Sequence, residues 1–284
     1  VYIILLNLSN HLTKKIQHDI FNLNMERRCI SIKVNIINKG FNFSQDGPGN
    51  RLIYHLNGCN MTCPWCSNPE GMSPYGTEML DSHGTARMSF KTIDCDALIA
   101  EVLSSRLIMI DGGGVTYSGG EPTLQFEALL YILKRLKEEN IHTVIETNAT
   151  HPRLPDLLPY LDLLIADLKH CDPIIHRKYT GVSNEAIIEN LMLASQEKLE
   201  LWIRTPLIKG FNADIRFIQG FINIYNQFNL RNVSFELLRY HEFGKIKWEQ
   251  CGKQYTIDDG FVSDEILNAY EKAYLEAGLK VIHT

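Results

Sequence analysis

The chain has 284 residues, of which 45% are hydrophobic, and this is enough to bury the core of one large α/β domain. Its formal net charge is −5, which argues against a nucleic-acid partner or an anionic membrane surface. Seven cysteines are an odd number in a chain too long for a disulfide-stapled miniprotein, and three of them are clustered. This usage predicts reduced thiols, a metal and a cytoplasmic location.

The first residues do not resemble a targeting segment. The opening apolar run "VYIILL" has only six residues, no basic segment before it and no small-residue cleavage site after it. Such a run is too short to span a bilayer. Because Met25 is a natural start and is followed by three charged residues, we expect residues 1–24 to be an upstream extension and residues 25–284 to form the single domain.

Beyond residue 30, β-rich runs alternate with amphipathic helical patterns. The predicted strands are, in chain order, 31–37, 51–56, 114–119, 142–147, 163–168, 201–207 and 232–238. Apolar residues recur at helical spacing at Leu129, Ile132, Leu133 and Leu136, and again at Ile218, Phe221, Ile222 and Tyr225. Strand followed by helix, repeated about six times, predicts a parallel sheet covered by helices, either open or curled toward a barrel.

Polar residues follow five of the predicted strands at their carboxyl ends. They are "SGGEP" at 118–122, "ETN" at 146–148, "DLK" at 167–169, Arg204, and "RYHE" at 239–242. One such residue alone would more often be a cap or a buried hydrogen-bonding group. Five of them predict a shared site, because the carboxyl ends of parallel strands lie at the same rim of a sheet.

Three cysteines lie close together in the stretch "GCNMTCPWCSNPEG" at 58–71. Cys59, Cys63 and Cys66 have the spacing Cys-x3-Cys-x2-Cys, and the later cysteines are isolated. A structural zinc site normally has four protein ligands, so the missing fourth cysteine counts against zinc. A 4Fe-4S cluster held by three cysteines leaves one iron open to a small-molecule ligand. The spacing therefore favours an iron-sulfur cluster with an open iron over zinc.

These motifs resemble a known family. Cys59-x3-Cys63-x2-Cys66 resembles the signature of the radical S-adenosylmethionine (SAM) enzymes. Six more segments resemble, in the same order, the activating enzymes of glycyl radical enzymes, the group that includes pyruvate formate-lyase activase: "DGPGNR" at 46–51, "GGGVTYSGGEPTLQ" at 112–125, "IHTVIETN" at 141–148, "DLKH" at 167–170, "WIRTPLIKG" at 202–210 and "LLRYHEFGKIKW" at 237–248. The resemblance begins at about residue 29 and implies a partial (β/α)6 TIM-like barrel.

The resemblance also implies the residues of the site. Cys59, Cys63 and Cys66 would bind three irons of one 4Fe-4S cluster, and the amino and carboxylate groups of SAM would chelate the fourth. The other residues implied to line the SAM pocket are Asn68, Gly119, Gly120, Glu121, Asp167, Lys169, Arg204 and His241. The residues implied to bind Na+ or K+ beside the SAM carboxylate are Glu146 and Thr147. The residues implied to lie on the side of the entering substrate loop are Asp46, Gly47, Pro48 and Gly49.

The activity implied by the resemblance is reductive cleavage of SAM. A flavodoxin- or ferredoxin-type donor would supply the electron, the S–C5′ bond would break, and the 5′-deoxyadenosyl radical would take a hydrogen atom from a backbone glycine of a partner glycyl radical enzyme. We expect this chain to be a monomer. Taken singly, some site residues have simpler explanations: Lys169 as a surface charge, His241 as a hydrogen-bonded loop histidine and Glu121 as an acid at a helix N-terminus.

Two departures from the family leave questions open. Many activases insert ferredoxin-type clusters between the radical cluster and "SGGEP", but residues 67–111 hold only Cys95, so we predict a single cluster and a polar loop at 71–90. Ser67 precedes Asn68 where relatives of pyruvate formate-lyase activase have His, which leaves the partner open. Two alternative functions remain at this point: a radical SAM enzyme acting on a small molecule, and a non-enzymatic zinc or iron-sulfur module.

Overall fold

A computed structural model describes residues 31–81 and 83–284, so the expected extension at 1–24 and the proposed start at Met25 lie outside the described residues. The compact unit that contains the site runs from Val34 to Thr284. Among the described helices, none has the length and apolar character that crossing a membrane requires.

Ten strands lie within the described residues. They are β1 (Lys33–Phe43), β2 (Asn50–Leu56), β3 (Glu78–Leu80), β4 (Ala86–Met88), β5 (Lys91–Asp94), β6 (Val115–Gly119), β7 (Thr143–Thr147), β8 (Leu163–Asp167), β9 (Glu200–Leu207) and β10 (Val233–Arg239). Eight of them form one sheet in the order β10-β9-β8-β7-β6-β2-β1-β5. Strands β10 to β2 of this order are parallel, and β1 is antiparallel to β2. Six parallel strands in an open sheet agree with the predicted partial barrel.

The described residues also form seven α-helices. They are α1 (Cys95–Ser104), α2 (Phe126–Glu138), α3 (Pro173–Thr180), α4 (Glu185–Ser195), α5 (Ile218–Tyr225), α6 (Lys245–Gln250) and α7 (Asp264–Glu276). Short 3-10 helices lie at Pro69–Gly71, Arg106–Ile108, Pro122–Gln125, Leu154–Asp156, Leu158–Tyr160, Ile215–Phe217 and Leu230–Asn232. Helix α3 shows why such elements begin and end where they do. The Asp172 side chain accepts hydrogen bonds from two backbone amides of its first turn, and Gly181 ends it with a φ of 89°.

All seven strands predicted from the sequence are present, and so are the two helices with apolar spacing, α2 and α5. Three strands were not predicted. The prediction of a polar loop at 71–90 is wrong in part, because β3 and β4 pair there as an antiparallel hairpin. Each of these strands has only three residues, and only Met79 among the six is buried, so no alternation marks them in the sequence.

The two faces of the large sheet have different roles. On the outer face, Ile145, Leu164 and Ile203 pack into the main core together with helix residues such as Leu129. On the opposite, inner face, Val144, Leu163 and Ile165 form a small apolar cluster with Trp202. Because side chains alternate along a strand, residues two positions further toward the carboxyl end also lie on the inner face. There the apolar residues give way to polar ones.

Candidate active site

At the carboxyl-end level of the inner face, each of the six parallel strands contributes one polar side chain. We call this set the inner ring: His55, Ser118, Glu146, Asp167, Arg204 and Glu236. Register places several of them side by side, since Arg204 is paired at Cα level with Asp167 on one neighbouring strand and with Glu236 on the other. The sheet therefore brings together residues that lie up to 181 positions apart in the chain (236 − 55 = 181).

The three cysteines lie in the loop that follows β2. Gly58, with a φ of 98°, turns the chain out of the strand directly before Cys59. The amide of Met61 donates a hydrogen bond to Cys59 Sγ, and the amide of Asn68 donates one to Cys66 Sγ, both at 3.4 Å. Burial raises the pKa of Cys59 to about 12 and also raises the pKa of Cys63 and of Cys66. Metal binding must therefore displace thiol protons at neutral pH.

One cavity of about 350 Å³ contains all three cysteines and most of the polar residues at the carboxyl rim. From the residues predicted for the site, its lining includes Asp46, Cys59, Cys63, Cys66, Asn68, Gly119, Gly120, Glu146, Thr147, Asp167, Lys169 and His241. Four of the five polar strand-end segments thus contribute lining residues to this one cavity. Glu121 and Arg204 are not part of this lining.

The three thiols lie where they could hold an iron-sulfur cluster. In the two described ranges, no group of three or more His, Cys, Asp or Glu side chains is placed to hold one metal ion. Zinc needs its sulfur ligands at about 2.3 Å from one point, whereas an iron-sulfur cluster spreads its ligands over separate irons. Three thiols around a common cavity, two of them accepting backbone hydrogen bonds, fit the cluster.

Asp167 and Lys169 form an ion pair in the wall of the cavity. Lys169 Nζ contacts Asp167 Oδ2, and its side chain is only 10% exposed. Burial opposes the charge on Lys169, but Asp167 and the nearby thiols outweigh it and raise the pKa above its usual value. A buried ammonium group of this kind can bind an anionic ligand group. The explanation of Lys169 as a surface charge does not fit its burial.

Glu121 is fully buried beneath the glycines that precede it. Its carboxylate accepts hydrogen bonds from Thr147 Oγ1 and from the amide of Asn148, both at 2.7 Å, and from the amide of Thr123 at 3.0 Å. Gly120 packs so closely on the turn after β2 that an added Cβ would meet Gly58 O at 2.3 Å. Glu121 thus caps the 3-10 helix Pro122–Gln125 and ties the β6 loop to the end of β7.

Arg204 lies between two glutamates on the inner face and is 3% exposed. Its Nη1 is 2.6 Å from Glu146 Oε1, and its Nε is 2.7 Å from Glu236 Oε2. Its Nη2 donates to the carbonyl of Gln45, next to the Asp-Gly-Pro-Gly loop. Burial raises the pKa of Glu146, but the charge of Arg204 outweighs it and the pKa is held below its usual value. Arg204 therefore does not line the cavity itself but holds in place Glu146, which does, and the main chain just before Asp46.

In the loop 46–49, Asp46 lines the cavity, while Gly47, Pro48 and Gly49 are not part of the lining. Burial raises the pKa of Asp46 to about 6, and neighbouring Glu146 adds to the shift. The buried guanidinium of Arg51 donates to the carbonyl of Pro48 and, at 2.7 Å, to Thr116 Oγ1. Gly49 has a φ of 64°, and a Cβ there would meet the carbonyl oxygen of residue 110 at 2.3 Å. The loop is thus held against the segment that leads into β6.

Helix α6 holds the cysteine loop from the other side. Trp248 Nε1 donates to the carbonyl oxygen of Cys66 at 2.9 Å. Lys247 Nζ donates to Asn68 Oδ1 at 2.7 Å and pairs with Glu70 at 2.9 Å. Four and two residues before this helix begins, the exposed rings of His241 and Phe243 stack with their centroids 4.2 Å apart. The "YHEFGKIKW" motif therefore both reaches the cavity and clamps the loop of the cluster ligands.

Comparison with known proteins agrees with this geometry. The family model described as the radical SAM superfamily matches residues 53–218. The chain belongs to this superfamily. The 4-hydroxyphenylacetate decarboxylase activating enzyme of Clostridioides difficile (strain CD196) is 30% identical, over 82% of this chain and 90% of that protein. The pyruvate formate-lyase 1-activating enzyme of Escherichia coli (strain K12) is 34% identical, over 75% of this chain and 83% of that protein.

Within the radical SAM superfamily, the chain belongs to the activating enzymes of glycyl radical enzymes. It is an enzyme that uses a 4Fe-4S cluster and SAM, as the motifs indicated, and the alternative of a non-enzymatic module is wrong. The fold is confirmed as well. A radical SAM methyltransferase from Sphaerobacter thermophilus superposes with a TM-score of 0.58 at 15% identity, covering 85% of this chain and 67% of that one.

Several residues of the site were not predicted from the sequence. His55 lines the cavity from the inner ring and Trp65 lines it with an aromatic ring, whereas Ser118 and Tyr240, which also line it, lie within the predicted segments 118–122 and 239–242. Glu236 pairs with Arg204 beside it. Only Trp65 carries a local signal, since it lies between two cluster cysteines. The others are recognisable only once strand register shows which face they occupy.

Proposed function

We propose that this chain activates a glycyl radical enzyme, by cleaving SAM reductively and generating a radical on a backbone glycine of that partner. The observation that carries the proposal is the meeting of three cysteine thiols with strand-end polar residues in one cavity. When bound, the cluster supplies the electron that breaks the S–C5′ bond of SAM. The names of the relatives support the class of partner, a decarboxylase in one case and a lyase in the other.

In this proposal, residues of the cavity wall bind and orient SAM. Lys169 holds the carboxylate of SAM, and Asp167 holds its ribose. Gly119 and Gly120 line the cavity where the amino group would lie, and as glycines they let this loop pack directly on the backbone that follows β2, since a Cβ at either would meet a backbone atom at 2.3 Å. The remaining residues proposed at the SAM wall are Asn68 and His241. The rings of Trp65 and Tyr240 would exclude water from the reacting atoms.

Glu121 and Arg204 act in this proposal as positioning residues rather than as contacts of SAM. Glu121 holds the end of β7 to the glycine loop by accepting hydrogen bonds from Thr147 Oγ1 and from the amide of Asn148. Arg204 holds the carboxylate of Glu146 and the main chain before Asp46. Both side chains are buried, and both lie behind residues that line the cavity.

A monovalent cation at Glu146 and Thr147 stays a prediction. A cation would offset the repulsion between Glu146 and the SAM carboxylate. We therefore expect SAM affinity, measured by equilibrium binding at constant ionic strength, to fall several-fold when K+ or Na+ is replaced by tetramethylammonium. Equal affinity in all three salts would count against the site, and Arg204, which already pairs with Glu146, would then be the sufficient counter-charge.

Replacing Asp46 tests the proposed substrate side of the cavity. Asp46 lines the main cavity and lies in the loop 46–49, which the proposal places on the side where the substrate loop enters. Asp46→Ala should therefore leave dithionite-driven SAM cleavage nearly intact and sharply lower the yield of glycyl radical. Cleavage is measured as 5′-deoxyadenosine, and the radical by electron paramagnetic resonance. Glu189→Ala on the exposed face of α4 is a control for the lost charge. If both activities of Asp46→Ala fall together, Asp46 supports the SAM pocket instead.

The proposed function is tested with candidate partners. The reduced enzyme and SAM are incubated anaerobically with purified 4-hydroxyphenylacetate decarboxylase or pyruvate formate-lyase, each labelled with α-deuterated glycine. We expect a glycyl radical signal with at least one partner and deuterium in the 5′-deoxyadenosine formed. Cleavage that never yields a protein radical, and takes hydrogen only from a small molecule, would support the alternative radical SAM enzyme.

A further inference from the structure

A second cavity, of about 440 Å³, lies between the end of α3 and the segment that follows β9. Its lining includes Tyr179 of α3 and Phe211 and Phe217 of the later segment. It shares no lining residue with the main cavity among the described residues. The activity described above leaves this cavity without a role.

Aromatic rings connect the two cavities. Trp65, between two cluster cysteines, lines the main cavity, and its ring centroid is 4.5 Å from that of Phe211 and 6.4 Å from that of Tyr179. Phe211 and Tyr179 line the second cavity, with their centroids 4.9 Å apart. A single packed layer of rings therefore separates the cysteine loop from the second cavity. Electron transfer slows steeply with distance and across unfilled gaps, so packed rings of this kind favour it.

The lining of the second cavity is basic, although the chain as a whole carries a formal charge of −5. Its charged members are Lys178, Lys209, Arg216 and Asp214. Lys209 also pairs with Asp259, and Arg216 with Asp214. In the described part of the chain Lys178 has no ion-pair partner, and its ammonium lies 5.2 Å from the ring of Tyr179. A net positive charge therefore remains around the aromatic floor.

Exposed apolar side chains flank this basic lining. Ile174 is 78% exposed and Ile215 is 60% exposed, and each is adjacent in sequence to a residue that lines the cavity. Apolar contacts surrounded by charges are typical of protein docking surfaces. The rim of the main cavity is needed for the glycine-bearing loop in the proposed function, so a second protein bound at the same time requires a separate surface.

From these observations we propose that the second cavity is the docking surface for the electron donor, a small protein with an acidic surface around a one-electron carrier. The inference rests on the proposed function, which consumes one electron for each SAM cleaved. The donor's carrier, a flavin hydroquinone or a reduced iron-sulfur centre, is oxidised by one electron. The acceptor in the main cavity is reduced by one electron, and no atom crosses the contact. Positive charge around Lys178 and Lys209 steers the acidic donor to the rings.

The test uses charge reversal on the full-length enzyme with its cluster. Lys178→Glu combined with Lys209→Glu reverses the lining of the second cavity. Lys91→Glu combined with Lys134→Glu is the control, because it changes the net charge equally on exposed residues of β5 and α2, away from this cavity. Binding to a bacterial flavodoxin and, separately, to an 8-iron ferredoxin is measured at low and high salt. The two arms distinguish the two types of donor.

We expect the Kd for at least one carrier to rise about tenfold in the cavity variant and to stay unchanged in the control variant. Wild-type binding should weaken with salt. Carrier-driven SAM cleavage should fall with affinity, while dithionite-driven cleavage stays at the wild-type rate. If both variants lose binding equally, or if the cavity variant loses none, the proposal that the donor docks at the second cavity is wrong. Absence of dithionite-driven cleavage in the wild type would instead overturn the proposed function.

Discussion

Replacing Cys59, Cys63 or Cys66 by Ala should abolish both cluster retention and SAM cleavage. The three thiols line one cavity, and two of them are fixed by backbone hydrogen bonds, so a cluster that loses one ligand keeps only two protein bonds. Iron and sulfide analysis after anaerobic reconstitution measures the loss directly. Replacement at any one of the three positions should give the same result, because no other described cysteine lines the cavity.

The cysteines outside the cavity supply matched controls. Cys95→Ala, Cys171→Ala and Cys251→Ala should each retain iron and cleave SAM. Cys95 is 1% exposed in the main core, so its replacement should also lower the free energy of unfolding, by about 1 kcal/mol. Retention of iron by a variant of Cys59, or more than about four irons per chain in the wild type, would contradict a single cluster on these ligands.

Replacing Arg204 by Leu should lower the free energy of unfolding of the apoprotein by about 3–5 kcal/mol, because buried carboxylates lose their partner. Glu236 is 3% exposed, and both it and Glu146 pair directly with Arg204. Denaturant unfolding of the metal-free protein, where two-state behaviour is checked with two probes, measures the loss. Arg153→Ala, at an exposed ion pair with Glu127, should change stability little.

The cost of Arg204→Leu should depend on pH in a defined direction. Arg204 holds the pKa of Glu146 below its ordinary value against the effect of burial, so this pair stabilises the fold fully at pH values above the ordinary pKa of a glutamate. The stabilisation is lost as the pH falls through the lowered pKa, and the difference between wild type and variant should therefore narrow in acid. A variant of unchanged stability that binds SAM poorly would mean that Arg204 contacts SAM, as the family resemblance implied.

The sequence predicted those parts of the molecule that depend on local spacing. The cysteine motif was found because its three ligands lie within eight residues, and the parallel strands because buried strands such as 163–167 read as continuous apolar runs. Glu236 was missed because, within the run "SFELL", it reads as one polar residue of a strand. Its role depends on Arg204, 32 residues earlier, and on the register of β9 against β10.

The antiparallel direction of β1, which was itself predicted as a strand, and the aromatic contacts of Trp65 were missed for the same reason. Nothing in the spacing of residues 31–37 says which neighbour they pair with or in which direction. Trp65 packs on Phe211, which is 146 positions later (211 − 65 = 146), so the contact exists only after β9 is in place. Glu121 was correctly recognised as polar at a strand end, but only the structure places its carboxylate under the loop and not at the cavity wall.

The inner ring has a consequence for how this protein becomes functional. Its members come from six strands spread over most of the chain, so the cavity forms only after contacts of long sequence separation are made, and such contacts make folding slow. The cysteine loop is local and is synthesised early, before the strands that supply Asp167 and Arg204. Cluster insertion that waits for the finished sheet stabilises the native state by mass action. If the cluster were inserted into the nascent cysteine loop, it would be exposed to water, because the cavity walls that shield it would not yet have formed.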